Sequence, residues 1–544
     1  MNGDRQTDRK DVPFKPDTAA DRKISVHGSR ADWKGHAFFP FSLDRSFCSP
    51  PAVIIAKQER VIQKNLSEVV MIQLPNEYKK EIEEILGQDA ERFEKLMQEK
   101  PYRGISVNRL KITPEKLLPL LPFEVRRSPF YRDGFYLPDT AQGLGNHPLH
   151  RAGAFYVQEP SAASAVSLLN VQKGDRVLDL CAAPGGKSAQ IASCLAGTGL
   201  IWSNEIVKSR AQILLSNFER MGIIKGVVSS LYPEILCERL QGFFDKVLVD
   251  APCSGEGMFR KNPEAIGEWS REHVKACAER QLSILNSAAK ALRDGGTLVY
   301  STCTFSHEEN EGVIEKFLSR HPEFEAAEAA EPFGRKTGVS CGVRITPCEE
   351  GEGHFAAKLR RKGDSIAVFS ENSRYDKLPD VPTHSKAKTH SSQSKQKPDL
   401  SESFIRKELN ELLTEMPEGN LTVVKDKALL MPKDLPDLTG CGVIRAGVLV
   451  GEMKKNRFEP AHSLFMALPP SCFRRVLTLP MNDQRIGEFL QGFEIDCEGE
   501  NGYTAVAPDG MMNLGFGKCS DGRLKNKYPK GLRGRTAALA EEPE

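Results

Sequence analysis

Short apolar runs alternate with helical stretches between residues 151 and 362, and this alternation limits the possible fold more than any other feature. The runs are RVLDL (176–180), GLIWSNE (199–205), GVVSS (226–230), FDKVLVD (244–250) and GTLVYSTC (296–303). Strict alternation of strand and helix predicts an α/β domain with a parallel, doubly wound sheet. Ligands of such sheets bind beyond the carboxyl ends of the strands, so functional residues are expected there.

The rest of the chain divides around this domain, because 544 residues exceed what one hydrophobic core usually organises. We expect a poorly ordered extension over 1–70, a small N-terminal domain of the RNA-binding type over 71–150, a flexible Ser/Lys/Pro-rich linker over 363–402, an intermediate domain over 403–470 and a last domain over 471–544. The small domain opens with an amphipathic helix that Gly87 is placed to end.

Composition indicates a cytoplasmic protein without a membrane partner. No stretch approaches the roughly 18 apolar residues of a membrane span, and the N-terminus is charged and polar. The 13 cysteines are scattered and never form C-x-x-C, which argues against a disulfide framework and against a metal site. A net charge of +2 requires any nucleic-acid surface to be local. We expect a monomer.

The strand ending at Asp179 runs directly into the turn CAAPGGK (181–187). Glycines allow close approach of the backbone to a ligand, and a helix start offers free amides. The turn matches neither G-x-G-x-x-G nor a P-loop. A strand-ending acid, a Gly-rich turn and a second acid, Glu205, at the next strand end suit a nucleoside with a ribose. We therefore predict S-adenosylmethionine as the cofactor.

Two cysteines follow neighbouring strands of the predicted sheet, Cys253 after Asp250 and Cys303 in STCT. Both thiols should face the crevice of the methyl donor. A thiolate that adds to carbon 6 of cytosine makes carbon 5 nucleophilic, and a second group is then needed for release. Asp250 can bond the ring nitrogen or the exocyclic amine of the base.

The nucleophile needs activation, because a free thiol is only slightly ionised at neutral pH. Ser306 and Glu309 match a capping box, which predicts a helix N-terminus just beyond Cys303 that would lower its pKa. His307 is adjacent, but we expect it to lie in solvent on the capping turn.

CAAPGGK, DAPCSGEG and STCTFSHEENEG together resemble the Nol/Nop/Sun family of RNA cytosine-5 methyltransferases. YRGISVNRLK (102–111), GAFYVQEPSAA (153–163), RAGVLVGEMKKNRFEPAH (445–462) and GFGKCSDGRLKNKYPKGLR (515–533) extend the likeness to its bacterial small-subunit rRNA branch (RsmF-like). The resemblance covers the chain from Met71 onward. It implies a mostly parallel, seven-stranded class I methyltransferase sheet and a C-terminal PUA-like domain. It also implies methylation of carbon 5 of a cytosine, with 16S rRNA as the expected substrate.

The same resemblance implies roles for individual residues. Cys303 would be the nucleophile, Cys253 the release cysteine and Asp250 a third catalytic residue. The implied cofactor contacts are Cys181, Ala182, Ala183, Pro184, Gly185, Gly186, Lys187, Glu205 and Asp250. One departure concerns the acid that usually follows the third strand and reads the adenine amine, since Ser230, Leu231 and Tyr232 stand there instead.

A basic segment between Lys518 and Arg535 is the expected RNA contact. Cations bind phosphates and aromatic side chains stack on bases, and Phe516 and Tyr528 are interleaved with the cations. The phosphate contacts are assigned to Lys525, Lys527, Lys530 and Arg533.

A solvated charged face is the alternative interpretation of that segment. For the whole chain, the alternatives are a ribosome-assembly factor that only retains the fold, and an amino-group methyltransferase. The intact cysteines argue against the first. PCS at 252–254, where Asp or Asn followed by Pro-Pro and an aromatic would be expected, argues against the second. The choice between rRNA and tRNA, and between free RNA and an assembled subunit, stays open.

Overall fold

The computed structural model describes residues 72–329, 333–363, 401–454 and 457–534. The predicted extension over 1–70 lies outside these ranges. The predicted linker over 363–402 also lies outside them, except for Gly363, Ser401 and Glu402. Among the helices of the described ranges, none is both long enough and apolar enough to cross a membrane.

The N-terminal region combines four helices with a small antiparallel sheet. Its elements are α1 (Asn76–Leu86), α2 (Ala90–Leu96), β1 (Gly104–Val107), α3 (Pro114–Leu117), β2 (Arg126–Arg127), β3 (Gly134–Tyr136), α4 (Pro148–Arg151) and β4 (Phe155–Val157). The amphipathic helix predicted here is α1, which buries Tyr78 and Ile82. It ends at Gly87, whose φ of 53° lies in the left-handed region that glycine tolerates best.

The central region alternates strands and helices, as the sequence predicts. Its elements are α5 (Ser164–Leu169), β5 (Arg176–Asp179), α6 (Gly186–Leu195), β6 (Leu200–Asn204), α7 (Lys208–Met221), β7 (Gly226–Ser229), α8 (Pro233–Arg239), β8 (Phe244–Asp250), α9 (Arg271–Ala291), β9 (Leu292–Thr302), α10 (Glu311–Arg320), β10 (Phe324–Ala326), β11 (Arg335–Lys336), β12 (Gly342–Ile345) and β13 (His354–Arg361).

The C-terminal region contains two further sheets. Its elements are α11 (Glu402–Leu412), β14 (Asn420–Val424), β15 (Lys427–Met431), β16 (Val443–Ala446), β17 (Val448–Lys454), β18 (Arg457–Pro460), α12 (His462–Ala467), β19 (Val476–Leu479), α13 (Gln484–Gln491), β20 (Ile495–Asp496), β21 (Gly502–Pro508), β22 (Gly515–Ser520) and β23 (Arg523–Asn526). Ser401 begins α11 by accepting a hydrogen bond from the Phe404 amide at 3.3 Å.

The central sheet has the strand order β11-β12-β13-β9-β8-β5-β6-β7-β16, with β10 beside β13. Strands β7, β6, β5, β8 and β9 run parallel, and β13 enters antiparallel between β9 and β12. This order confirms the doubly wound class I methyltransferase fold, in which β7, β6, β5, β8 and β9 form the parallel part of a mixed sheet. The sheet is nevertheless wider than seven strands, because β10, β11 and β16 extend it.

Strand β16 comes from the C-terminal region and covers the free edge of β7. The two strands pair antiparallel, with Val443 opposite Ser229 and Ala446 opposite Val227. Gly442 lies so close that a Cβ there would stand 2.7 Å from the Ser230 carbonyl oxygen. The C-terminal region therefore adds a strand to the sheet that carries the candidate active site.

Candidate active site

The carboxyl ends of β5, β8 and β9 lie side by side in the sheet and place three predicted residues at one edge. Asp179 ends β5, Asp250 ends β8 and Cys303 directly follows β9. Asp250 stands opposite Ser301 in the register of β8 and β9. Parallel neighbouring strands end at the same edge of a sheet, which explains why residues far apart in sequence converge here.

The two predicted catalytic thiols are in contact, with 3.0 Å between the sulfurs of Cys253 and Cys303. The Cys303 amide also donates a hydrogen bond to the Cys253 sulfur at 3.3 Å. The hydrogen bond to Cys303, together with burial, raises the pKa of Cys253 well above its usual value. Cys253 therefore stays a protonated thiol at neutral pH, next to the sulfur of Cys303.

Asp250 is held between a lysine and a serine. Lys187 Nζ donates to Oδ2 at 2.8 Å and Ser301 Oγ donates to Oδ1 at 2.7 Å. Burial alone would raise the pKa of Asp250, but the charge of Lys187, the charge that His354 carries once it is protonated, and these hydrogen bonds hold that pKa below its usual value. Asp250 is therefore a fixed carboxylate, and each of its oxygens keeps a lone pair for a further donor.

Buried glutamates hold the two cysteine loops together. Glu309 Oε2 accepts hydrogen bonds from the Ser254 amide at 3.0 Å and from Gln281 Nε2 at 2.6 Å. Glu256 accepts one from the Phe305 amide at 2.8 Å. The loop after β8 and the loop after β9 are thus tied through carboxylates, which fixes the separation of the thiols.

The predicted helix start at Ser306 is wrong. Residues 307–310 form a turn, and α10 begins only at Glu311. The capping box fails because the Glu309 carboxylate bonds Ser254 and Gln281, which belong to other elements. The expected activation of Cys303 by a helix N-terminus immediately beyond it loses its basis. His307 is exposed, as expected.

The predicted cofactor loop, 181–187, joins β5 to α6 at the same edge. The Ala182 amide bonds the Asn204 carbonyl oxygen, and the carbonyls of Ala183 and Pro184 accept from Arg210 and Asn217 of α7. Gly185 has a φ of 113°.

The next glycine, Gly186, opens α6, and a Cβ there would lie 3.0 Å from the Tyr156 ring. Cys181 is partly buried, and burial raises its pKa well above the usual value. Gly185 and Gly186 therefore allow the loop to turn tightly over the strand ends.

Asp179 supplies a test of whether a cationic cofactor fits. Its Oδ2 accepts a 2.6 Å hydrogen bond from Ser188, whereas the buried Oδ1 has no partner in the described part of the chain. Burial raises the pKa of Asp179 to about 7. A buried acid with an orphaned oxygen is suited to a donor that carries positive charge, such as the ammonium group of S-adenosylmethionine. The residues present fit this cofactor.

Glu205 follows β6 and is buried, with 4% of its surface exposed. Its Oε1 accepts from the Val207 amide at 2.9 Å, and Oε2 lies 3.3 Å from Arg210. Residues 230–232 follow β7 and contain no acid. The Asn204 side chain holds this segment by bonding both the amide and the carbonyl of Leu231. The Leu231 amide and carbonyl are thus already in use within the protein.

The basic C-terminal segment forms the hairpin of β22 and β23 and the turn beyond it. Lys525 and Lys530 are exposed, but Lys527 is paired with Glu459 at 2.9 Å. Arg533 is partly buried against Gly492 and bonds the Tyr528 carbonyl.

The expectation that Phe516 and Tyr528 stack on bases is wrong, because only 3% of each is exposed. Phe516 stacks on Phe465 instead, with 4.2 Å between ring centroids. Neither aromatic side chain is therefore available to stack on a base, and Lys518, on the same face of β22 as Phe516, lies over the Tyr503 ring with 5.7 Å between its Nζ and the ring centroid.

Sequence reasoning missed two buried residues, namely His354 at the start of β13, which acts on the pKa of Asp250, and Glu159, whose Oε2 lies 3.6 Å from His354 Nδ1. No motif marks His354. The available signal was GEGHFAAKL (351–359), an apolar run that begins with a histidine, but its place in the sheet depends on long-range pairing.

Four family models match the chain in succession. They are 16S rRNA methyltransferase RsmB/F over 166–360, the N-terminal domain of 16S rRNA methyltransferase RsmF over 74–160, the RsmF rRNA methyltransferase first C-terminal domain over 403–468 and the methyltransferase RsmF PUA domain over 476–534.

Curated relatives match nearly along their whole length. Ribosomal RNA small subunit methyltransferase F of Vibrio atlanticus is 30% identical over 85% of this chain and 98% of the relative. The protein of that name from Vibrio cholerae is 32% identical over 79% of this chain and 91% of the relative. A solved methyltransferase homolog from Pyrococcus horikoshii is 27% identical, with a TM-score of 0.48 over 54% of this chain and 97% of that chain.

The N-terminal, methyltransferase, first C-terminal and PUA models match in that order along the chain, which agrees with the order of the N-terminal, central and C-terminal regions of the fold. The chain therefore belongs to the ribosomal RNA small subunit methyltransferase F family, the RsmF-like branch of the Nol/Nop/Sun methyltransferases, and is an S-adenosylmethionine-dependent RNA methyltransferase.

Proposed function

We propose that the chain methylates carbon 5 of a cytosine in 16S rRNA through a covalent adduct between Cys303 and carbon 6 of the base. The observation that carries this proposal is the pair of thiols 3.0 Å apart at the ends of neighbouring strands, beside an ionised Asp250. The names of the relatives support rRNA of the small subunit as the substrate.

In this proposal the Cys303 thiolate forms a bond to carbon 6, and the electron pair of the 5,6 double bond makes carbon 5 nucleophilic. When bound, S-adenosylmethionine supplies a methyl group whose bond to sulfur breaks as carbon 5 attacks. A water molecule then takes the proton from carbon 5, the electron pair of that C–H bond re-forms the 5,6 double bond, and the bond between carbon 6 and the sulfur breaks so that Cys303 leaves as a thiolate. Cys253 assists release, since its proton lies next to the departing sulfur.

Asp250 positions the base during addition. As a carboxylate it accepts a hydrogen bond from the exocyclic amine or from the ring nitrogen once that nitrogen is protonated. Lys187 and Ser301 keep the carboxylate ionised and fix both of its oxygens. Its role is therefore to bind and orient the base and to offset charge that develops on addition.

Replacement of each thiol should block the reaction at a different step. Cys303→Ala should neither methylate RNA nor form an adduct, because carbon 5 is never activated. Cys253→Ala can still add to the base and methylate it, so it should stall as a methylated protein–RNA adduct that survives denaturing electrophoresis. Cys277→Ala, which removes another buried thiol from α9, is the matched control and should behave as the parent protein does.

The outcomes discriminate between the two roles. An adduct in Cys303→Ala and none in Cys253→Ala would place the nucleophile after β8. Absence of an adduct in both variants would leave the release role of Cys253 without support. Bisulfite sequencing of rRNA and tRNA from a deletion strain identifies the modified cytosine. Unchanged conversion of every 16S rRNA cytosine would contradict the proposed substrate.

A further inference from the structure

His354 lies next to the nucleophile, although it follows Cys303 by about fifty residues. It begins β13, in which Phe355 stands opposite Thr302 of β9, so His354 is placed alongside Cys303. The neighbouring backbone is tightly packed, since the Gly257 amide bonds the Cys303 carbonyl at 2.8 Å. A Cβ on Gly257 would stand 2.7 Å from the Gly353 carbonyl oxygen.

Charged groups from several elements surround the His354 imidazole. Glu159 precedes α5, Lys187 lies on α6, Asp250 ends β8 and Lys261 follows the loop after β8, and all four act on its pKa. Burial and the charge of Lys187 lower the pKa of His354 to about 4, against the opposing effect of the two acids. The imidazole is therefore neutral at physiological pH.

Glu159 determines which nitrogen of that neutral ring carries the hydrogen. Its carboxylate accepts hydrogen bonds from the Ser161 amide and hydroxyl at 2.7 and 2.6 Å and from the Ala162 amide at 2.8 Å. Burial would raise the pKa of Glu159, but Lys261, His354 and these bonds hold it below its usual value. His354 Nδ1 lies 3.5 Å from Ser161 Oγ and 3.6 Å from Glu159 Oε2. Because the Ser161 hydroxyl already donates its hydrogen to Glu159, both of these oxygens can only accept, so Nδ1 carries the hydrogen.

It follows that Nε2 has a free lone pair. Within the described ranges Nε2 has no hydrogen-bond partner. The atom is not fully buried, so it keeps access to solvent. The ring is 8% exposed. The strand register places Asp250 opposite Ser301 on one side of β9 and His354 level with Cys303 on its other side, so the carboxylate and the imidazole lie at the same edge of the sheet and flank the nucleophile.

We propose that His354 determines the specificity for cytosine by accepting a hydrogen bond at Nε2 from the exocyclic amine of the target base. This inference rests on the proposed function, which makes cytosine the substrate. The amine has two N–H donors, one for Asp250 and one for His354. Uracil presents a carbonyl oxygen at the same position, which would face two acceptors without a hydrogen between them.

Binding of modified RNA tests the proposal without the methyl-transfer reaction. In full-length Cys303→Ala protein, the affinity for an oligoribonucleotide with cytosine at the target is compared with one carrying 2-pyrimidinone, which lacks the amine. The parent should prefer cytosine. His354→Phe, which removes the acceptor, should reduce that preference by about twofold to tenfold, the range for one neutral hydrogen bond. His354→Gln, which keeps an acceptor oxygen, should restore part of it.

His462→Phe is the matched control, because it removes another buried imidazole, one that packs against Tyr528 in the C-terminal region. The preference should then equal that of the parent. Thermal unfolding and S-adenosylmethionine affinity check that each variant folds. A parent that binds both RNAs equally would contradict the proposed function itself. A parent with a preference that His354→Phe leaves unchanged would overturn the role of His354 alone.

Discussion

Affinity for S-adenosylmethionine should depend on pH through Asp179. The carboxyl is buried, its pKa is raised to about 7, and Oδ1 lacks a partner among the described residues. Below that pH the free protein holds Asp179 protonated, and a neutral acid cannot pair with the ammonium group of the cofactor. Binding must then release a proton, so affinity should fall as pH falls through 7.

The size of the effect follows from the raised pKa. If only the ionised form binds tightly, the dissociation constant scales as one plus ten to the power of pKa minus pH. Between about pH 8 and about pH 5.5 it should therefore rise about 30-fold, or about 2 kcal/mol. The free energy of unfolding changes with pH in the opposite direction from cofactor affinity, because the folded state binds the Asp179 proton more tightly than the unfolded state. Asp179 thus favours the folded state at low pH and loses that contribution as pH rises from 3.8 through 7.

Calorimetric titration with S-adenosylmethionine across this pH range measures the slope of log affinity against pH. Asp179→Asn removes the titrating group and should bind more weakly at pH 8, with an affinity nearly independent of pH. Asp175→Asn, at an acid just before β5 that pairs with Lys246, is the matched control and should keep the slope. A pH-independent affinity in the parent, or a slope that persists in Asp179→Asn, would refute the reasoning.

Three more predictions concern other regions. Glu205→Ala should raise the dissociation constant for S-adenosylmethionine at least about tenfold in calorimetry, and unchanged affinity would remove Glu205 from the site. Joint replacement of Lys525 and Lys530 by alanine should weaken RNA binding and flatten the slope of log affinity against log salt by about 1.5, with an unchanged slope refuting the contact. Burial lowers the pKa of Lys111 to about 7, so the free energy of unfolding should rise with pH between 7 and 10.5, by at most about 5 kcal/mol. Lys111→Met should abolish that rise in denaturant titrations, and a rise equal to that of the parent would contradict it.

The sheet edge that carries the candidate active site was predictable, because the order of strands and helices along the sequence is enough to place its residues. Asp179, Asp250 and Cys303 each follow an apolar run that pairs in parallel with its neighbours, and such runs end together. A short motif after each run then identifies the chemistry. Nothing in this reasoning requires knowledge of contacts between distant parts of the chain.

His354 and Glu309 escaped prediction because distant contacts decide their roles. His354 reaches the site only because β13 turns back antiparallel between β9 and β12, and such pairing has no local signature. Glu309 has the local signature of a capping residue, but Ser254 and Gln281 bind its carboxylate instead. Tertiary hydrogen bonds outweigh a cap that contributes about 1 kcal/mol.

The pairing of β16 with β7 has a consequence for how this protein can be divided. A chain cut after residue 363 would lose Val443–Ala446 and leave β7 with a bare row of amide and carbonyl groups. Val227 and Val228, both fully or almost fully buried, lie on that strand. An exposed apolar edge of this kind recruits strands from other molecules and favours aggregation. The central region is therefore not a transferable module, and insertion, shuffling or separate expression must keep the segment over 435–446 with it.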